Sequence, residues 1–146
     1  MSKYVPLISS SLAGPLGIMH LPRLWQKVAL KATGQLNDDY PDIGAGYDSM
    51  VLGALHIDTD AFRSFVSDNN PTYIECENWV AQNGTLDAGA IAKLNRQITQ
   101  YHHDDVTRTE ILEAAGLDDS AAIADAPNLN NLDDWTAFHK EVLSGS

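Results

Sequence analysis

Apolar residues recur along this chain at helical spacing and do not alternate as strand residues do. Leu21, Leu24, Trp25, Val28 and Ala32 fall on one side of a helical repeat, with Arg23, Lys27 and Lys31 beside them. The spacing predicts a helix from Leu21 to Thr33. Pro22 suits its first turn, where a missing N–H costs nothing, and Gly34 is a natural stop. A polar loop over 35–48 follows, in which Asn37, Asp38, Asp39, Pro41, Gly44 and Gly46 favour turns, and then a short apolar element from Met50 to Leu55.

Further helices carry their own start signals. Asp58 or Thr59 caps one that contains Ala61, Phe62, Phe65 and Val66. Asn70-Pro71 opens the next, with Tyr73, Cys76 and Val80 on one face and Gly84 beyond its end. Thr85 or Asp87 opens a longer one in which Ile91, Leu94, Ile98 and Tyr101 keep the period. Thr107 to Glu110 reads as a capping box, with Val106 and Ile111 as its hydrophobic staple and Gly116 as its end. Pro127 stops an alanine-rich turn over 120–125. Asn131 then caps a last helix with Leu132, Trp135, Phe138 and Val142 facing inward and Asp133 and Asp134 in its first turn.

The expected fold is therefore all-α: one domain over 1–146, a compact array of about six short helices whose varied connections do not suit a regular four-helix bundle. Residues 1–19, broken by Pro6, Gly14, Pro15 and Gly17, read as an irregular arm packed on the core.

Charge changes the picture. Residues 1–37 hold no acid and four bases, Lys3, Arg23, Lys27 and Lys31; the rest holds all 20 acids and five bases, so +4 and −15 sum to −11. Such acidity disfavours nucleic acid and anionic membranes as partners. No apolar run reaches the roughly 20 residues that span a bilayer, and the serines and glycines near the start argue against a secretory signal. Cys76 is the single cysteine and reads as a packed core thiol, so a reduced cytoplasm is the expected compartment.

A basic stripe on an acidic protein is a place to hold an anion. His20, Arg23, Lys27, Tyr40, Tyr47 and Asp48 form the candidate site, with the glycine-bearing loop folding back over the stripe. Arginine offers a two-pronged donor to a carboxylate, histidine or a desolvated lysine can carry a proton, and tyrosines can donate hydrogen bonds. Trp25, next to the stripe, could line the pocket. On a simpler reading Arg23 and Lys27 form a solvated face paired with Asp38, Asp39 or Asp42, and Asp48 is a helix cap. His102 and His103 with Asp104 and Asp105 suggest a metal, but adjacent helical residues diverge too far to chelate one ion, and no metal ligand is assigned. Nucleotide loops and a hydrolase serine elbow are absent.

The order Leu16-Gly-Ile-Met-His-Leu-Pro-Arg-Leu-Trp-Gln-Lys27, then Gly34, the loop to Asp48, and Leu55-His-Ile-Asp-Thr-Asp-Ala-Phe62 resembles the bacterial domain-of-unknown-function family numbered 5069, over roughly residues 14–82. The resemblance implies a shared fold and site and no particular reaction. Gly17-Ile18 stands where the family has a glycine pair, and Gln26 where an acid commonly precedes the lysine, which would leave Lys27 without a neighbouring partner.

The expectation is a cytoplasmic protein with one pocket for a small anionic or carboxylate ligand, a cofactor-independent lyase or isomerase. Arg23 and Trp25 would bind; His20, Lys27, Tyr40, Tyr47 and Asp48 would carry the chemistry. The alternative is a non-catalytic module that docks an acidic partner, or a second copy of the chain in a homodimer, through the basic helix.

Overall fold

The computed structural model describes residues 3–144. Seven α-helices follow one another: α1 (Leu21–Ala32), α2 (Tyr47–Ala54), α3 (Thr59–Asn69), α4 (Tyr73–Asn83), α5 (Ala88–Gln100), α6 (Asp105–Ala114) and α7 (Ala126–Phe138), the last running into a π-helical turn, His139–Leu143. Among the described residues there is no strand, only isolated bridges such as Tyr4 with Leu36 and Ala13 with Met19. No helix there is long and apolar enough to cross a membrane.

α1 is the centre of the packing. It touches α2, α3 and α4, while α5 lies on α2 and α7, and α6 on α7. Its Leu21, Leu24 and Val28 join Val51, Leu52, Leu55, Phe62, Val66, Cys76, Val80, Leu94 and Ile98 in one buried cluster. Fully burying a side chain of this size contributes about 1.5–3 kcal/mol, and the cluster draws on five helices. Cys76 is a core thiol, its pKa pushed up to about 12 by burial and by the nearby Glu77 carboxylate.

Most helix ends obey local chemistry. Pro22 sits in the first turn of α1, and Gly34 follows it at φ 72°, a left-handed conformation that glycine adopts without a Cβ clash. Asp58 and Asp87 cap α3 and α5 through Ala61 N–H and Ala90 N–H. Four starts differ from the sequence reading. The short apolar element is a full helix that begins at Tyr47 with Gly46 as its N-cap. Thr72 and Glu75 form the capping box of α4, two residues past Asn70, which instead ends α3 in a left-handed conformation. Asp104, not Thr107, caps α6. Asp125 caps α7 by accepting from Asn128 N–H, so Pro127 is a first-turn residue and not a stop. On α7 Ala126, Pro127, Leu129 and Asp134 are buried, whereas Trp135, and Val142 in the π-helical turn, expected inside, are exposed.

The arm lies against this array, its irregular backbone held in specific places. Gln26 Oε1 accepts from Ile8 N–H, Tyr4 exchanges backbone hydrogen bonds with Gln35 and Asn37, and Leu12 C=O accepts from His20 N–H. The arm, the loop and first turn that lead into α2, and α7 meet over one face of α1.

Candidate functional site

The i, i+3, i+7 spacing of His20, Arg23 and Lys27 places them on that face. It is not a solvated surface: His20 is 3% exposed, Arg23 and Lys27 6% each. Burying a charge this deeply requires a partner, and the two cations have separate ones. Lys31, farther along the stripe, has drifted out and is exposed.

Asp48 is the hub of the first cluster. It stands in the first turn of α2 and is not its cap. Its Oδ2 accepts from Lys27 Nζ at 2.5 Å and from Gly44 N–H at 2.7 Å, and its Oδ1 accepts from His20 Nε2 at 2.6 Å. Lys27 thus has a partner although Gln26 is no acid. An ionised carboxylate can only accept, so the neutral ring carries its proton on Nε2 and leaves a lone pair on Nδ1. The ring meets Tyr47 edge-on, 5.4 Å between centroids, and the Tyr47 hydroxyl donates to Ile98 C=O at 2.8 Å.

Asp134, from α7, anchors the second cluster. Arg23 grips it with both prongs, Nη1 to Oδ2 at 2.7 Å and Nη2 to Oδ1 at 3.1 Å. Arg23 Nη1 also donates to Ile8 C=O at 2.9 Å and Pro6 C=O at 3.2 Å, which ties the arm to α1 and α7. The Tyr40 hydroxyl donates to Asp134 Oδ1 at 3.1 Å, its ring centroid 6.0 Å from the Arg23 guanidinium carbon.

Both clusters border one cavity of about 510 Å³, with Ser10, Gly46, Tyr101 and His103 among its other walls. Six of the residues named from sequence, His20, Arg23, Lys27, Tyr40, Tyr47 and Asp48, line it. Trp25 does not. It points to the other side of α1, where its Nε1–H donates to Pro71 C=O at 3.0 Å and its ring packs edge-on against Tyr73. Sequence reasoning missed Ser10 and Asp134. It also gave His103 to a metal reading, whereas His103 lines the cavity with Nε2 2.9 Å from Asn130 Oδ1, and His102 Nδ1 lies 3.1 Å from Ala124 C=O. Among the described residues no three His, Cys, Asp or Glu side chains group as a metal site.

Electrostatics give these groups different jobs. Burial drives the His20 pKa below its ordinary 6.5, against the upward pull of Asp48, so the ring is neutral at neutral pH. Burial pushes Asp48 up, but the His20 hydrogen bond and the Lys27 charge outweigh it and hold the carboxyl below 3.8. Burial raises Asp134, only partly offset by Arg23, and raises Asp133 together with the Asp134 charge. Tyr40 and Tyr47 are raised by burial, Tyr40 also by Asp134, so both remain protonated donors. Each cavity cation is already matched by a carboxylate, and Asp39 and Asp133 add negative charge to the wall.

The His20 shift has a measurable sign. Below its unfolded pKa of 6.5 the unfolded histidine takes up a proton that the folded one resists. Its contribution is complete above that pH and is lost as pH falls through the folded pKa. Asp48 acts in the same sense at lower pH, below 3.8; Asp133 and Asp134, raised above 3.8, act in the opposite sense, losing stability as pH rises from there. Urea unfolding of the wild type should weaken from pH 7 to about 5.5, and His20→Gln should remove that part of the slope. Parallel slopes in the two proteins would contradict the assignment.

The local sequence also concedes something here. His20 occupies the N-cap of α1 at φ 73°, in the left-handed region, and its side chain caps nothing. Gly, Asn or Asp would serve that left-handed position better. Departures of this kind concentrate where a side chain is kept for function.

No curated protein sequence matches the chain. The family model described as Domain of unknown function (DUF5069) matches residues 9–134, well beyond the span suggested by the first-helix motif and far enough to include Ser10 and Asp134; with most of its length covered and both buried clusters inside the match, the chain belongs to that family.

Proposed function

We propose that this protein is a cofactor-independent enzyme of lyase or isomerase type that moves a proton on a small carboxylate-bearing molecule. One observation carries the reading: His20 Nδ1 is buried beside the cavity without a hydrogen-bond partner, while Nε2 is anchored to ionised Asp48. That is the arrangement of a general base whose tautomer and orientation are set by a carboxylate. The cavity volume falls within the usual range for small-molecule sites, about 300–1,000 Å³.

The roles differ from a simple anion grip. Asp48 and Lys27 position the base. Tyr40 and Arg23 hold Asp134, so a substrate carboxylate would share Arg23 with it. Tyr47 walls the cavity with its ring, because its hydroxyl is engaged by α5. Docking through the basic helix has less support, since Arg23 and Lys27 are buried. The lone free cysteine is in keeping with a reducing cytoplasm as the setting.

A thermal-shift screen of small carboxylic, hydroxy and oxo acids tests this. A true ligand at 100 times its dissociation constant should raise the melting temperature by about 5–10 °C. If no acid in such a panel moves the transition, the carboxylate-ligand reading fails.

A further inference from the structure

Among the described residues, two buried side-chain polar atoms lack a hydrogen-bond partner, Ser10 Oγ and His20 Nδ1, and both residues line the same cavity. Unpaired buried polar atoms are costly and uncommon. Their surroundings make the vacancy specific. Ser9 Oγ and Ser11 Oγ satisfy each other at 3.1 Å, Ser9 Oγ also takes Ser11 N–H, and Arg23 fixes the adjacent Ile8 C=O, yet the hydroxyl of Ser10, which is 1% exposed, is left unused. The two atoms also do not bond to one another, so they are not a nucleophile and base poised as a relay.

The pair has a defined complement. Nδ1 offers a lone pair and Ser10 Oγ–H a proton. A carboxylate would set its own lone pairs against Nδ1, whereas a hydroxyl donates to Nδ1 and accepts from Ser10 at once. We propose that Ser10 and His20 form a subsite for a hydroxyl group of the ligand. This deepens the acid–base reading of His20 and rests on it: the substrate is a hydroxyl-bearing molecule. Its O–H proton passes to Nδ1, the bonding electron pair stays on the oxygen, Asp48 balances the imidazolium, and Ser10 donates to the alkoxide.

Three probes separate the ideas: 1,2-propanediol has hydroxyls and no carboxylate, propionate the reverse, and lactate has both. In nitrogen-15 spectra the His20 Nδ1 resonance should move with the diol and with lactate but not with propionate. Lactate should bind about tenfold more tightly than propionate, a ratio that Ser10→Ala reduces without abolishing, because the bond to His20 Nδ1 remains. Ser10→Ala should leave the melting temperature unchanged or raised, because it removes an unpaired hydroxyl. A diol response without any carboxylate binding leaves the hydroxyl subsite standing and refutes the carboxylate-ligand reading. Equal binding of lactate and propionate overturns the subsite alone. A His20 signal indifferent to all three probes, as a bound water alone would give, overturns the subsite, and so does a marked loss of stability in Ser10→Ala.

Discussion

Replacing Asp48 with Asn should destabilise the protein by about 3–5 kcal/mol, the cost of breaking a buried ion pair from one side. Lys27 is 6% exposed and has Asp48 as its acidic partner at 2.5 Å. The amide keeps the shape but removes the charge, and the ammonium is left in a poorly solvated place. The same change leaves one acceptor oxygen where His20 Nε2, Lys27 Nζ and Gly44 N–H now share two. Equilibrium urea unfolding measures the loss. Adding Lys27→Met should recover most of it, because the stranded charge goes and its stem is replaced by apolar volume. A loss below about 1 kcal/mol in Asp48→Asn, as exposed pairs give, would mean that the Asp48 cluster does not hold the site together.

Once the screen supplies a substrate, His20→Gln should lower kcat by about 10²–10⁴, the contribution of one positioned acid or base, with little change in KM. Gln can still donate to Asp48 Oδ1, so the fold should survive, but nothing then offers a lone pair where Nδ1 stood. The wild-type rate should hold from neutral pH down past 6.5, because the base is already deprotonated there, and fall only as the lowered His20 pKa is crossed. The residual rate of His20→Gln should lack that acid limb. A variant that keeps more than about a tenth of kcat would remove His20 from the chemistry.

These outcomes depend on residues that were unequally legible beforehand. Local signals placed α1, because Pro22 and Gly34 work through backbone geometry alone, and Asp58 and Asp87 capped as their type predicts. The start of α7 was misjudged because a proline reads equally as a stop or as a first-turn residue, and only the Asp125 cap decides between them. Asp134 was hidden by that error and by its chemistry. An acid on the inward face of a helix looks like a surface position until its partner is known, and Arg23 lies 111 residues away. Trp25 was misplaced despite a usable signal: two residues beyond Arg23, it lies about 200° around the helix from it. Nothing local marks Ser10 apart from Ser9 and Ser11. Its distinction is a bond left unmade, which only the assembled cavity reveals.

The bidentate grip of Arg23 on Asp134 joins a residue made early to one made late. On the ribosome, α1 emerges while the segment that will become α7 is still untranslated. Through that interval the guanidinium has carbonyls of the arm within reach and no Asp134 carboxylate to neutralise it. The wall that α7 supplies can close only after Asp134 has been made. The cavity wall would then be complete only once α7 is made, and a chain terminated before Asp134 would be left with a stranded cation at its centre.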